Sequence, residues 1–312
     1  SLVIKDFKNR LYKMIGFEHP LKCVENLAPI TRLCWEMGWN EINGGNISWR
    51  LSNEHIDNVL KQIVKIDEDL IKLSKPQPTL DGEYFLVTGS GKYFRHAIEK
   101  TDEVFGIVQI KDGGNSYQKI WGFKGGGKPT SEFATHLTGH SIRKRQSKGR
   151  EEVILHCHPP EFIILSFLMP LDSSMISLAL WKTMPECIVF FPDGIRVVPP
   201  ILPGTNKIAD ASAIELEKSR IISWSHHGIF VSEESPDAVF SLIETIEKAS
   251  ANHWESSGGK SFSSTIGEDA EGNIVIQSED RAKSARARLK RASTTVRRYV
   301  TPLTDLMWNN YD

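Results

Sequence analysis

The segment Glu151–Phe162, EEVILHCHPPEF, constrains the fold more than any other stretch of the chain. Val153, Ile154 and Leu155 form a short, uncharged, largely β-branched run of the kind found in buried strands, and Pro159 and Pro160 suit the first turn of a helix that follows it. His156 and His158 then fall at the carboxyl end of the strand. Side chains alternate across a strand, so both imidazoles point to one side, with Cα atoms roughly 6.5 to 7 Å apart. One ion at about 2.0 to 2.1 Å is within reach of both. Cys157 faces the other way, as a small buried hydrophobe. Taken alone, the pair is equally the signature of two hydrogen-bonded core histidines.

A metal site with two histidines is incomplete, because a catalytic zinc takes three protein ligands and keeps one position open. WSHHGIF offers His226 and His227 at the end of another apolar run, followed by Gly228, which permits a tight turn or a close approach. Strand parity does not choose between them. ATHLTGH offers a rival pair, His136 and His140, four apart on one helical face. Without the glutamate of an HExxH arrangement, that pair reads as surface or packing.

Strands are expected at EYFLVTG, VFGIVQI, SYQKIWGF, VILHC, CIVFF, GIRVVPP and IISWSHHGIFV, and after the GGN turn at Ile47–Leu51. Helices are expected over the charged first 25 residues, Val24–Met37, Ser131–Lys144, after Pro160, Asn206–Lys218 and Pro236–Asn252, with helix and loop over 52–78. Elements of the two kinds alternate, so the class is α/β with helices packed on a central sheet. Residues 1–255 read as a single domain with an N-terminal helical extension. Residues 256–312 read as an appended hairpin and a basic helical extension.

Three glycine-rich turns, INGGN, VTGSGK and GGGKPTSE, offer backbone N–H groups beside Ser, Thr and Asn side chains, the makings of an anion site. The helix start near Thr130 and Ser131 adds its dipole. TGSGK lacks the glycine spacing of a Walker A loop. Glu132, in the first turn of that helix, suits the dipole there, and beside a metal it would serve as a general acid and base.

With 38 basic and 39 acidic residues the formal net charge is −1, so no global field argues for nucleic acid or a membrane surface. IRKRQSKGR, at 142–150, reads as the solvated end of a helix, and RAKSARARLKRASTTVRR, at 281–298, as an exposed helix face. The four cysteines show no CxxC spacing and read as free thiols of a reducing compartment, with the cytoplasm the expected location. No run is apolar enough to span a bilayer.

The order and spacing of NGGN, TGSGK, PTSE, HCH and HHG over residues 26–255 resemble the class II zinc aldolases of the fuculose-phosphate aldolase and ribulose-phosphate epimerase superfamily. The resemblance implies a three-layer α/β/α fold with a mostly antiparallel sheet. It also implies reversible cleavage of a ketose 1-phosphate to dihydroxyacetone phosphate and a hydroxyaldehyde. By position it makes His156, His158 and His227 the Zn²⁺ ligands and Glu132 the catalytic carboxylate. Asn43, Gly45, Asn46, Ser90, Gly91, Thr130 and Ser131 fall on the phosphate cradle. Glu186 falls on a carboxylate donated to a neighbouring subunit's site, implying a homotetramer. Related outcomes are an aldolase or 4-epimerase for L-fuculose or L-ribulose phosphate. A non-catalytic, adducin-like scaffold should lack the three histidines and Glu132.

Overall fold

The computed structural model describes residues 16–63, 66 and 69–256, together with the backbone of the strands 263–268 and 274–279. A nine-stranded sheet runs through the centre in the order β2-β5-β4-β3-β1-β6-β9-β8-β7. Its strands are β1 (Asn46–Arg50), β2 (Leu70–Lys72), β3 (Tyr84–Thr88), β4 (Phe105–Lys111), β5 (Ser116–Gly122), β6 (Val153–Cys157), β7 (Arg196–Val198), β8 (Ile221–Trp224) and β9 (Gly228–Glu233). Every pairing in it is antiparallel except that of β7 with β8.

Alternation along the central strands builds two cores. Ile47 and Trp49 of β1, Val153, Leu155 and Cys157 of β6, and Ile229 and Val231 of β9 face one layer of helices. That layer holds α1 (Lys22–Glu36), α4 (Pro160–Leu168) and α8 (Pro236–Ser256). Ile154, Ile222, Trp224 and Phe230 face the other way, in a core that also takes Ile142 and Ile208. These last two come from α3 (Phe133–Gln146) and α7 (Asn206–Leu216). The expected three-layer α/β/α arrangement is therefore the observed one.

Local chemistry sets the helix ends. Ser52 accepts a hydrogen bond from the backbone of His55 at the start of α2 (Asn53–Gln62). Thr205 does the same for Ile208 in α7, and Asp172 for Met175 in α5 (Ser173–Thr183). Pro159 and Pro160 open α4, whose first free N–H groups, on Glu161 and Phe162, both donate to the Glu247 carboxylate at 2.9 Å.

Four expectations change. CIVFF is not a strand: α6 (Glu186–Phe190) is a single helical turn or so, placed on the surface where a third layer needs no sheet hydrogen bonds. IISWSHHGIFV is two antiparallel strands, β8 and β9, folded back at residues 225–227. The polar 52–78 segment adds the short edge strand β2 to its helix. The basic end of α3 is only partly solvated, because Arg143 is buried against Glu151 at 2.7 Å. The basic tail and most of the N-terminal helix expected from the sequence lie outside the described residues. Residues 263–268 and 274–279 pair as a two-stranded hairpin, as the composition there suggested.

Candidate active site

β6 ends at Cys157, and its last side chains diverge as period-two geometry demands. Cys157 is fully buried in the first core, while His156 and His158 turn to the opposite side. The β8–β9 hairpin brings the third imidazole. His226 takes a left-handed φ of 63°, and the N–H of His227 closes the turn on the Trp224 carbonyl at 2.9 Å. That conformation sends the two neighbours apart: His226 stacks on Phe167 with centroids 4.1 Å apart, and His227 lies 4.8 Å from both His156 and His158. One ligand atom from each of His156, His158 and His227 lies within 4.8 Å of the others. Gly228 makes the approach possible, since a Cβ there would sit 2.4 Å from the Cys157 carbonyl and 2.9 Å from the His158 ring.

Hydrogen bonds fix how two of the rings are protonated. His156 donates from Nδ1 to the Ile229 carbonyl at 2.9 Å, and His158 from Nδ1 to the Glu41 carboxylate at 2.7 Å. Neutral His156 then presents Nε2 as an acceptor, and the Nε2 atoms of His156 and His158 stand 3.2 Å apart. That spacing suits two nitrogens at about 2.0 Å from one tetrahedral ion, so the donor set fits Zn²⁺. Burial, and then the neighbouring imidazoles, keep His156 neutral far below its ordinary range. The same causes push His227 down to about 3, against a smaller pull from Glu41. Neutral imidazole is the metal-binding form.

Glu41 was not visible as a functional residue in the sequence. It lies 117 positions from its partner. Desolvation pushes its carboxyl up, but the His158 hydrogen bond, the nearby imidazoles and a backbone hydrogen bond together outweigh this and leave it below the ordinary carboxylate range. Its one sequence signal is an acid just before the glycine turn, where Gly44 is packed so closely that a Cβ would meet the His158 ring at 2.9 Å.

Glu132 stands at the N-cap position of α3 and is 4% exposed, with an Oε2 that finds no hydrogen-bond partner among the described residues. Burial pushes its carboxyl up to about 7, against hydrogen bonds from the Gly204 backbone and Thr135. The glycine-rich turns converge beside it. Gly89 bridges Pro129, Ser90 N–H donates to the Lys128 carbonyl at 2.9 Å, and Thr130 N–H donates to the Thr88 carbonyl at 2.9 Å. Thr88 Oγ1 in turn accepts from Ile47 N–H at 3.1 Å, which ties Asn46 to the same corner. The N–H groups of Ser90 and Thr130 are therefore spent on the fold rather than offered to an anion. Gly45 lies against the His156 carbonyl in the left-handed region, Gly91 is an exposed turn residue at φ 69°, and Asn43 is exposed in the loop before β1.

The rival pair is not a second metal centre. His136 and His140 are fully buried on α3 and hydrogen-bonded to Ser48 at 2.6 and 2.8 Å. Glu186 opens α6 on the surface, beside the exposed Ile188, Val189 and Phe190.

A mixed sheet between helical layers carries three convergent imidazoles that could hold a metal ion and, at a loop-built corner, a buried carboxylate. The family model for the class II aldolase and adducin N-terminal domain matches residues 25–254, and the chain belongs to that family. It is a class II aldolase, a lyase, by its likeness to curated enzymes. The rhamnulose-1-phosphate aldolase of Yersinia pestis (strain Pestoides F) is 38% identical over 226 residues, 72% of this chain and 82% of that enzyme. In fold the chain is similar to a sugar-phosphate aldolase from Thermotoga maritima, with a TM-score of 0.63 at 24% identity, over 75% of this chain and 94% of that one. It is also similar to YgbL of Klebsiella pneumoniae, a putative aldolase/epimerase/decarboxylase, with a TM-score of 0.54 at 18% identity over 80% and 96% of the chains. Among the described residues no helix is long and apolar enough to cross a membrane.

Proposed function

We propose that the chain is a zinc-dependent aldolase of rhamnose catabolism, working in the cytoplasm, that reversibly cleaves L-rhamnulose 1-phosphate to dihydroxyacetone phosphate and L-lactaldehyde. The observation that carries this reading is the convergence of His156, His158 and His227, one ligand atom of each within 4.8 Å of the others, with the Nδ1 atoms of His156 and His158 already bonded elsewhere. The 38% identity to a rhamnulose-1-phosphate aldolase supports the substrate.

In this reading His156, His158 and His227 hold Zn²⁺, which when bound supplies a Lewis acid for the carbonyl end of the ketose phosphate. Glu132 moves the proton. Burial pushes its carboxyl up to about 7, within range of neutral pH, so it is suited to give a proton to C3 after the C3–C4 bond breaks and to take it back in condensation. Its unpartnered Oε2 is the atom left free for this exchange. Asn43, Gly45, Asn46, Ser90, Gly91, Thr130 and Ser131 hold the phosphate, the non-reacting end, and so convert binding into orientation of the reacting carbons. Because the Ser90 and Thr130 N–H groups are already bonded within the fold, these two residues contribute through their hydroxyls. Glu186 reaches the site of a neighbouring subunit in a homotetramer and assists at the C4 hydroxyl. The exposed apolar turn around Glu186, with Val189 76% exposed, supports burial of that surface against a second copy.

The test is to incubate zinc-loaded protein with the 1-phosphates of L-rhamnulose, L-fuculose and L-ribulose and follow dihydroxyacetone phosphate. Release from L-rhamnulose 1-phosphate at the highest kcat/KM is expected. Preference for another ketose phosphate would reassign the substrate, and an interconverted ketose phosphate without cleavage would make the chain an epimerase.

A further inference from the structure

Asn46, Ser48 and Arg50 occupy alternate positions on β1 and so share one face, against which α3 sets His136 and His140 one turn apart. The two rows interlock in a dry seam. Ser48 and His136 are 0% exposed and His140 is 1% exposed. Ser48 Oγ lies 2.6 Å from His136 Nδ1 and 2.8 Å from His140 Nε2, and His136 Nε2 bonds to the Asn46 side-chain amide. His140 Nδ1 is buried without a partner among the described residues, and the His140 ring lies 4.9 Å, centroid to centroid, from Phe85.

The tautomer of an imidazole and the orientation of an amide follow from the network they join. With both rings neutral through burial, only two proton arrangements satisfy all three contacts and also use the Ser48 hydroxyl proton; a third, in which Ser48 Oγ accepts from both rings, strands that buried O–H. In one, His140 Nε2–H donates to Ser48, the Ser48 hydroxyl donates to His136 Nδ1, and His136 Nε2–H donates to Asn46 Oδ1. In the other, every bond is reversed. The Asn46 NH₂ then donates inward, its carbonyl faces outward, and His140 is left with a buried N–H that has no acceptor. A buried N–H without an acceptor is the rarer and costlier defect, whereas the first arrangement leaves only a lone pair unmatched.

We propose that the chain of hydrogen bonds runs in the first direction, and that His140, Ser48 and His136 are positioning residues that lock the Asn46 amide with its oxygen inward and its NH₂ toward the substrate phosphate. This rests on the reading of Asn46 as a phosphate ligand. Among the described residues no acceptor takes up that NH₂ group. A freely rotating amide would present its oxygen to an anion as readily as its nitrogen; the seam removes that choice before substrate arrives, which is how preorganisation raises affinity.

The direction is tested on the unmodified, zinc-loaded protein by ¹⁵N NMR of its histidines. Both His136 and His140 are expected as Nε2–H tautomers, and an Nδ1–H tautomer for either overturns the proposal. The positioning role is tested by titrating inorganic phosphate into Ser48→Ala, Asn46→Ala and the double variant. Ser48→Ala is expected to weaken phosphate binding about tenfold, the worth of one well-aimed hydrogen bond, and to add nothing once Asn46 is gone. An equal loss in both backgrounds would make Ser48 merely structural and overturn the role. Unchanged phosphate affinity in Asn46→Ala with both rings Nε2–H would instead remove Asn46 from the phosphate cradle, a failure of the binding reading alone.

Discussion

The chain holds two histidine clusters side by side, on β6 and its hairpin partner and on α3, and they differ in whether their hydrogen-bonding capacity is spent. His136 and His140 bond to Ser48 and Asn46 in a dry seam, and only one ring nitrogen is left over. His156 and His158 spend Nδ1 on Ile229 and Glu41 and bring their Nε2 atoms within 3.2 Å of one another, beside His227. Burial holds His136, His140, His156 and His227 below the ordinary imidazole range, so both clusters contain neutral rings. Burial and residue type do not distinguish a ligand set from packing; the direction of the unspent lone pairs does.

Removing a histidine from each cluster should separate them most sharply. His158→Ala is expected to lose bound zinc and at least about a thousandfold in activity. Full zinc occupancy by elemental analysis would place His158 with the packing pair. Glu132→Gln should keep its zinc and lose about 10²–10⁴ in kcat, and an unchanged rate would take Glu132 out of the chemistry.

The same residue predicts a pH dependence. Its carboxyl sits at about 7 when folded and near 4.5 in an exposed chain, so the folded state holds the proton more tightly. Stability from this group is fully present below pH 4.5 and is lost as pH rises through 7, by about 3 kcal/mol at the limit. Metal-free Glu132→Gln should therefore resist urea better than metal-free parent at pH 8, and the two curves should converge near pH 4. Coincident curves at pH 8 would show a solvated carboxylate.

Glu41→Ala should weaken zinc affinity by about 10–100-fold, since it frees the His158 ring to rotate and to protonate at the wrong nitrogen. A competitive chelator titration measures this. His140→Phe should leave zinc affinity within about twofold of the parent while lowering stability by about 1–3 kcal/mol. A large loss of zinc there would couple the two clusters and remove the distinction between them.

Much of this contrast was legible in the residues. The HxH pattern ending an apolar run placed His156 and His158 on one side and Cys157 on the other, because strand periodicity is local. The absence of HExxH pointed to packing for His136 and His140. The β8–β9 hairpin was missed because Ser225–His227 carries no turn signal before Gly228, and a histidine at φ 63° is held there by the strands on either side. CIVFF has the composition of a strand, yet α6 takes a helical turn with Cys187 buried and Ile188, Val189 and Phe190 exposed.

What the sequence determined by itself was the alternation of apolar strands and helices and the pairing of two imidazoles, both of which depend on neighbours a few positions away. Tertiary structure decided that His227 and not His226 turns inward, that Glu41 meets a ring 117 residues distant, and that Glu132 is dry enough to hold its proton near neutral pH. Each of these depends on which distant surfaces exclude water from a group or supply its hydrogen bond, and that is settled only when the layers close.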